Sequence, residues 1–589
     1  MRELPTLEQR REQAILELDD FLSRECGAVR IPSAELSNIG ARGFVAGWRV
    51  EVQPLQQLRR MNVCVDGLFP FSAPRFQLVA GPPFLTWPHV EKDGTLCVGD
   101  ETQTTDPSRP VAVARQLLLE NVFPLLRACE NGSNREDFRT EFYSYWNATV
   151  PEGEPPIHSL LDPQGPSRIV QIWRGQYFSA VGETEERVLR WLRNRYGDQK
   201  QFDATESCCL VWMNQVLLPS EYPRRSSDVR EIAKLSGALE LLQEMAGRER
   251  RCIPAILASS SSNGPCFCAV TISSAQKADI PGFRRGHVPE KILAERVLGS
   301  SASINRATVA RADASWIHGR GQDARQSILT GRRVAIVGCG AIGGPVAFEL
   351  AMAGVGYLML VDPDSLGWAN VGRHPLGADS VGLKKASELA KRLTLSFPHA
   401  QFESRTEELR VVLEKEQDLL MDFDLVVCAT GIWSVESALN AWHLRAKRPA
   451  HVLYAWTEPH ACAGHAVAIV PGEACLQCQF TEFGEAKKVV TERRDRSERH
   501  EPACGAVYQP YGPIELSWVT ALSAGLALDC LLGSIAGSTH RVWASPKALL
   551  DAAGGSWNAD WIGEKKEREG GGFLEECRWE RDSHCAICG

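Results

Sequence analysis

The sequence predicts a multidomain α/β protein whose C-terminal portion is a doubly wound, Rossmann-like sheet. Three observations carry this. A chain of 589 residues exceeds what one hydrophobic core supports and divides into about three to four domains. Residues 151–167 form a tract rich in Pro, Gly and charge that interrupts the apolar periodicity, as a domain boundary does. From Arg332 onward, "RRVAIVGCGAIGGPVAFELAMAGVGYLMLVDPD" runs strand, glycine turn, helix, strand, the opening βαβ unit of a parallel sheet.

The elements follow in order. "MRELPTLEQRREQAILELDDFL" reads as a charged amphipathic helix with no signal-peptide core, and no stretch approaches the ~20 apolar residues of a membrane span. Short β-like runs, "GWRVEV" and "MNVCV", come next, then helical segments after Cys97. In "VARQLLLENVFPLLRAC", Leu118, Val122, Leu125 and Leu126 make a buried helical stripe, which Pro124 is expected to kink or end. This N-terminal domain spans 1–150; the linker 151–167 reaches about 50 Å if polyproline-like. Residues 168–300 mix strand and helix patterns ("CCLVWMNQVLL", "EIAKLSGALELLQEMA") as a middle α/β domain without a chemical motif, and 301–589 form the last domain.

Composition narrows the function. With 44% hydrophobic and 23% charged residues the chain is an ordinary globular one. A net charge of -8, from 65 basic and 73 acidic residues, offers no global attraction to nucleic acid or anionic membrane, so neither is expected as a partner. A cytoplasmic location is expected, and there 19 cysteines, an odd number, argue against a disulfide framework. Most should fill cores; a few should be nucleophiles or metal ligands.

Gly338, Gly340 and Gly343 spell G-x-G-x-x-G between an apolar strand and a helix. Such a turn aims free N–H groups and the positive end of a helix dipole at phosphate. Asp362, 19 residues beyond Gly343, ends the next strand, where a carboxylate accepts from ribose hydroxyls. A dehydrogenase is the default reading. However, "VDPDSLGWANVGR" followed by "DSVGLKKASELAKRL" resembles the adenylating domain shared by ubiquitin-activating enzymes and the bacterial activators of sulfur-carrier proteins (ThiF type), over about 330–545. Asp362, Asn370, Arg373 and Lys385 fall in that family's order. Arg373 brings a fork of donors and Lys385 a compact charge, a pair suited to a triphosphate attacked at its α-phosphorus and not required for hydride transfer. The resemblance implies ATP and Mg²⁺. It also exposes a departure: where the family carries a magnesium-holding aspartate, this chain has Gly431, so Asp364 is a candidate replacement. Family members often reach across a dimer with an upstream arginine, for which Arg311 and Arg320 are candidates; a homodimer is expected on the same basis.

"EPACGAVYQPYGPIELSW" sets Cys504 in a Pro- and Gly-rich loop before a helix. The family captures its acyl-adenylate on a cysteine in a comparable loop, and a thiolate serves as both nucleophile and leaving group. Near the N-terminus, "VDGLFPFSAPRFQLVAGPPFLTWPHVEKDGTLCV" resembles the ubiquitin-conjugating α+β fold over about 1–150, through Pro70, Pro74, Pro88, His89, Gly94 and Cys97. That likeness makes Cys97 a thioester carrier. Eukaryotic conjugating enzymes carry His-Pro-Asn here; this chain reads Pro88-His89-Val90, so the oxyanion must be stabilised by backbone N–H groups or another side chain. His89 is expected to brace the loop rather than to do acid–base work, and Asp100 or Asp106 to orient an incoming lysine.

Cys475–Cys478 and Cys585–Cys588 are two C-x-x-C pairs, a match to tetrahedral Zn²⁺ with thiolate ligands; Cys577 and His584 are possible substitutes. Related adenylating domains use such a clip to pin their C-terminal segment.

Together these features predict one polypeptide that activates a protein's C-terminal carboxylate with ATP, captures it on Cys504, passes it to Cys97 and ligates it to a lysine. The domain order resembles the activating and conjugating fusion proteins of bacterial antiviral (CBASS) operons, which implies a cGAS-like nucleotidyltransferase as the activated protein. A ubiquitin-like modifier from a related operon, an NAD-dependent oxidoreductase and a non-catalytic scaffold are the alternatives.

Overall fold

The computed structural model describes the chain except residues 1–5, 38, 40–42, 53–58, 99–105, 198–199, 249–251, 274–282, 284–287, 321–322, 493–498, 501–506, 509–510 and 564. It forms two compact units, one of residues 1–157, 163–169 and 207–309, the other of 158–162, 170–206 and 310–589.

The first unit opens with helix α1 (Leu7–Cys26), started by a capping box in which Thr6 and Gln9 exchange bonds and ended by Gly27 in the left-handed region. An antiparallel meander follows: β1 (Val29–Arg30), β2 (Phe44–Val52), β3 (Arg59–Asp66) and β4 (Arg75–Val79). Its inner face, with Trp48, Met61, Val63 and Phe76, meets Leu18 and Leu22 of α1. Leu118, Val122 and Leu126 are buried in the same core, as their spacing predicts.

Pro124 neither ends nor breaks that helix. α2 (Pro110–Gln116) continues through a π-helical turn, Leu117–Val122, into α3 (Phe123–Asn131), so the proline sits in the first turn of α3. A wider turn just before it accommodates a residue that has no N–H to give. Beyond α3, the aromatic helix Phe142–Asn147 packs with Tyr222 onto the strands Cys252–Ser261 and Gly264–Ser273, and Trp146 Nε1 donates to Ala307 O at 3.0 Å.

The second unit is built on an eight-stranded sheet: β5 (Arg333–Val337), β6 (Tyr357–Val361), β7 (Gln401–Arg405), β8 (Leu425–Cys428), β9 (His451–Thr457), β10 (Ala463–Ile469), β11 (Thr539–Pro546) and β12 (Gly571–Arg578). The strands run β7-β6-β5-β8-β9-β10-β11-β12, parallel from β7 to β9 and antiparallel beyond. Connections leave β5 and β8 in opposite directions, which opens a crevice at their carboxyl ends, the place where doubly wound sheets bind ligands. Helices α4 (Gly343–Met352), α5 (Lys385–Ser396) and α6 (Trp433–Arg445) flank the sheet.

One helix corrects a sequence expectation. α7 (Pro513–Leu532) is long and apolar enough to cross a membrane by composition. It packs instead against β9, β10, β11 and α4, and Gly464 gives it room: a Cβ there would lie 2.4 Å from Val519. Two of its polar residues, Thr520 and Ser523, are buried, Ser523 donating to Val519 O, while Glu515, Ser517 and Asp529 interrupt the apolar sequence, so this is a core helix rather than an unbroken apolar run.

Candidate functional site

The glycine turn lies at the sheet's crevice, and its glycines divide the work. Gly338 has φ +86°, and a Cβ would approach Ala429 O to 2.8 Å; at Gly343 a Cβ would be 1.9 Å from Gly338 O. Both are dictated by packing. Gly340 faces open space, which leaves the backbone accessible to a phosphate. Asp362 is buried and accepts from Cys339 N (2.7 Å) and Asp364 N (2.8 Å), so it ties β6 to the turn while each oxygen keeps an acceptor position for a hydroxyl.

Around it stand the residues the sequence singled out. Asn370 Oδ1 accepts from Gly367 N, bracing the 3₁₀ turn Trp368–Arg373. Arg373 donates to Ala369 O and lies 5.3 Å from the ring of Tyr511, seven residues past Cys504. Lys385 begins α5 with its ammonium 3.0 Å from Asp364 Oδ2; the lysine side chain is 11% exposed and the aspartate 67%, so the pair presents a carboxylate edge to solvent. Arg311 forms a bidentate pair with Asp313 (2.8 Å for each bond) and also donates to Ser315; its side chain is buried, whereas Arg320, closing its helix with φ +50°, is exposed.

Two residues of this site escaped the sequence reading. His374 is buried, accepts at Nδ1 from Leu376 N and therefore donates from Nε2 to Cys339 O at 2.6 Å, locking the glycine turn from below. Burial lowers its basicity, which keeps it a neutral ring. At the end of β8, Gly431 (φ +63°) stands where the expected aspartate is missing, and Glu436 from α6 reaches back: its Oε1 accepts from Gly431 N (3.0 Å) and Thr430 Oγ1 (3.2 Å). Burial pushes its carboxyl above the usual range.

Cys504 lies outside the described residues, but both approaches to it are anchored. On one side buried Glu458 accepts from the backbone N–H groups of Val490 and Thr491, both at 2.7 Å, and from the Thr491 hydroxyl, while His465 Nε2 lies 2.9 Å from Oε1, the oxygen that also takes the Val490 N–H. On the other side stands Tyr511 against Arg373.

In the first unit, residues 90–96 fold as a tight turn against the edge of β4: Leu78 N donates to Gly94 O and Leu96 N to Phe76 O. Gly94 has φ +85° and no room for a Cβ, which would meet Leu78 O at 2.6 Å. This turn delivers Cys97 to the surface; most other described cysteines are buried, so exposure separates it from the core fillers. Cys97 N donates to His89 O at 2.8 Å, and the Cys97 side chain is the main influence that raises the basicity of the His89 ring.

His89 itself holds φ +59°, a conformation costly for a side-chain-bearing residue. Its N–H donates to Tyr145 Oη (2.8 Å), Nε2 lies 3.1 Å from Asp137 Oδ2 and Nδ1 3.5 Å from Glu141 Oε2, while Tyr145 donates to Glu141. Asp137, Glu141 and Tyr145 were not foreseen, being some 50 positions away in sequence and adjacent only after folding. Of the two acids that were, Asp100 is outside the described residues, and Asp106 caps its own turn through Ser108.

The four cysteines of the C-x-x-C pairs converge. All sulfurs lie within 4.8 Å of one another, with Cys475–Cys585 at 3.7 Å and Cys478–Cys588 at 3.4 Å. Zinc–thiolate bonds of about 2.3 Å give a tetrahedron with edges of about 3.8 Å, so the set fits a tetrahedral ion. Lys487 Nζ donates to Cys478 O and Trp579 Nε1 to Cys475 O, fixing the knuckle. Cys577 pairs instead with His540, and His584 is 94% exposed, so neither joins the cluster.

Two parts of the chain match known families. Residues 315–550 match the ThiF family and residues 44–153 match prokaryotic E2 family B. The ATP-dependent ubiquitin transferase-like protein Cap2 of Vibrio cholerae is 26% identical over 74% of this chain and 77% of its own length. Its Pseudomonas aeruginosa counterpart is 25% identical over 80% and 85%. A solved structure of Escherichia coli MccB with ATP aligns with 45% of this chain and 68% of its own at 20% identity and a TM-score of 0.31. The chain is thus a fusion of an N-terminal prokaryotic E2 family B domain with a C-terminal ThiF family domain, an activating- and conjugating-type enzyme in one polypeptide.

Proposed function

We propose that this protein adenylates the C-terminal carboxylate of a protein substrate, captures it as a thioester on Cys504, transfers it to Cys97 and joins it to a lysine amine. One observation carries the reading: an exposed thiol set against an imidazole sits in the same chain as a phosphate-binding turn equipped with Arg373 and Lys385. The substrate carboxylate attacks the α-phosphorus of ATP and pyrophosphate leaves. Arg373 and Lys385 offset the charge that gathers on the phosphates, the N–H groups at the start of α4 hold them in place, and Asp362 fixes the ribose. Asp364, just past β6, and Glu436, reaching back from α6, are the acids that would hold Mg²⁺, whose contribution would be to neutralise phosphate charge. The Cys504 sulfur then displaces AMP, and the Cys97 sulfur displaces Cys504. Carrying both thiols on one chain raises their mutual concentration without a diffusional search.

The substrate is a protein tail with a free carboxylate; a cGAS-like nucleotidyltransferase or a ubiquitin-like modifier fits, and a homodimer through the adenylating domains is part of this proposal. The test supplies ATP, Mg²⁺ and such a protein. Isotope exchange between pyrophosphate and ATP, with an adduct that disappears on reducing gels, is expected; nicotinamide-dependent absorbance change without exchange would replace this reading by hydride transfer.

The four-cysteine cluster is proposed to hold Zn²⁺. Buried thiols packed this closely need a cation to be stable as thiolates. Cys585→Ser is expected to release a stoichiometric zinc ion, measured by elemental analysis. It should also destabilise the second unit by about 4 kcal/mol, since loss of a structural metal is among the largest single-site effects.

A further inference from the structure

The unexpected feature of the conjugating domain is how its histidine is surrounded. A neutral imidazole has one N–H and one acceptor nitrogen. In His89 both ring nitrogens face carboxylates, Asp137 at 3.1 Å and Glu141 at 3.5 Å, an arrangement that favours a ring with protons on both nitrogens. The remaining neighbours fit that state: Tyr145 donates to Glu141 rather than to the ring, and Cys129 donates to Pro88 O. The two acids are four residues apart on one segment, so a single turn presents both to the ring. The positive φ of His89 shows that the backbone is held in an unfavourable shape to keep this ring here, between the acids and the Cys97 thiol.

We propose that His89 is an imidazolium at neutral pH, clamped by Asp137 and Glu141, and that it stabilises the negative charge that develops when the Cys97 thioester is attacked. This rests on the reading of Cys97 as an acyl carrier. An amine nitrogen bonds to the carbonyl carbon, the carbon–sulfur bond breaks, and its electron pair stays on sulfur. The amine loses one proton and the sulfur gains one, so amide and thiol are the products. His89 supplies the fixed positive charge beside the reacting atoms, in a domain that lacks the asparagine expected to do so. Asp137 and Glu141 are positioning residues that act through the ring.

The surroundings of the ring agree. The Cys97 hydrogen bond is the largest influence, burial opposes it, and Glu141 and Asp137 add to it, raising His89 from 6.5 to about 9. With the thiol free, the charge is present at neutral pH and lost as pH rises through about 9; in the thioester the Cys97 contribution is gone and Glu141 and Asp137 are the groups that favour the charged ring.

The experiment uses the full-length chain carrying Cys504→Ser, with Cys97 charged by exchange from a peptide thioester, so it does not depend on adenylation. A parallel Cys97→Ser chain subtracts acylation elsewhere. Discharge is followed with hydroxylamine, its rate divided by the neutral fraction of the nucleophile at each pH, and the ring is titrated by NMR with histidine labelled at Cε1. The resonance is assigned from its absence in His89→Asn; asparagine tolerates the left-handed backbone and is neutral.

Expected are a ring that titrates near pH 9 in the chain with a free Cys97 thiol, a discharge rate of the acylated chain that falls as pH rises through that chain's own ring titration, above 6.5, and about 10²-fold slower discharge in His89→Asn. Asp137→Asn with Glu141→Gln should move both midpoints toward 6.5. A wild-type ring titrating near 6.5, midpoints unmoved by the double substitution, or unchanged discharge in His89→Asn would each overturn the proposal. Failure of Cys97 to accept any acyl group would instead remove the carrier reading, while the ring titration still reports on the clamp.

Discussion

Cys97→Ala is expected to leave the acyl group parked on Cys504: the reducible adduct persists, AMP release stops after one turnover, and lysine-linked product falls below detection. Cys504→Ala should abolish both thioesters while pyrophosphate exchange continues, because adenylation precedes any sulfur chemistry. The two variants therefore arrest the pathway at successive intermediates, which gels with and without reductant separate. The size of the effect follows from the chemistry. No hydroxyl or amine in the turn at 90–98 duplicates a thiol that is both a good nucleophile and a good leaving group, so alanine removes the step rather than slowing it. Adducts that survive in both single variants would end the relay.

Lys385→Met should lower the second-order rate constant for pyrophosphate exchange by about 10²–10³-fold, roughly 3–4 kcal/mol of transition-state stabilisation for a fixed charge near a developing anion. The fold should be spared. Methionine retains the buried aliphatic stem, and the partner acid, Asp364, is 67% exposed and can return to water. A thermal midpoint within a few degrees of wild type, measured beside exchange, distinguishes lost catalysis from lost structure. An unchanged rate would place Lys385 outside the nucleotide site.

What the sequence disclosed, and what it withheld, follows the range of the interactions. The glycine turn was legible because its constraints are local: a left-handed backbone at Gly338 and a 1.9 Å clash at Gly343 can be met only by glycine. The paired C-x-x-C motifs were legible through their spacing, and the structure shows the two halves meeting across 110 positions. His89 was legible as a residue but not as a charge, because its acids come from a segment 48 positions away that offers no motif of its own. Glu436 was hidden for a related reason. It sits on a helix five residues past Gly431, and only the turn between them aims it back at the vacancy left by the missing aspartate. Pro124 shows the converse, a residue whose local rule was overridden: a wider helical turn absorbed it and the apolar stripe stayed intact.

The clasp made by Glu458 has a further meaning for how the enzyme is put together. It holds Val490 and Thr491, which precede Cys504 in the chain, through two amides and a hydroxyl at the end of β9, while the nucleotide crevice is bounded by β5, β6 and β8. In the proposed relay, making the mixed anhydride and capturing it would therefore draw on different parts of the fold, so that changes around Glu458 could alter capture while leaving adenylation intact.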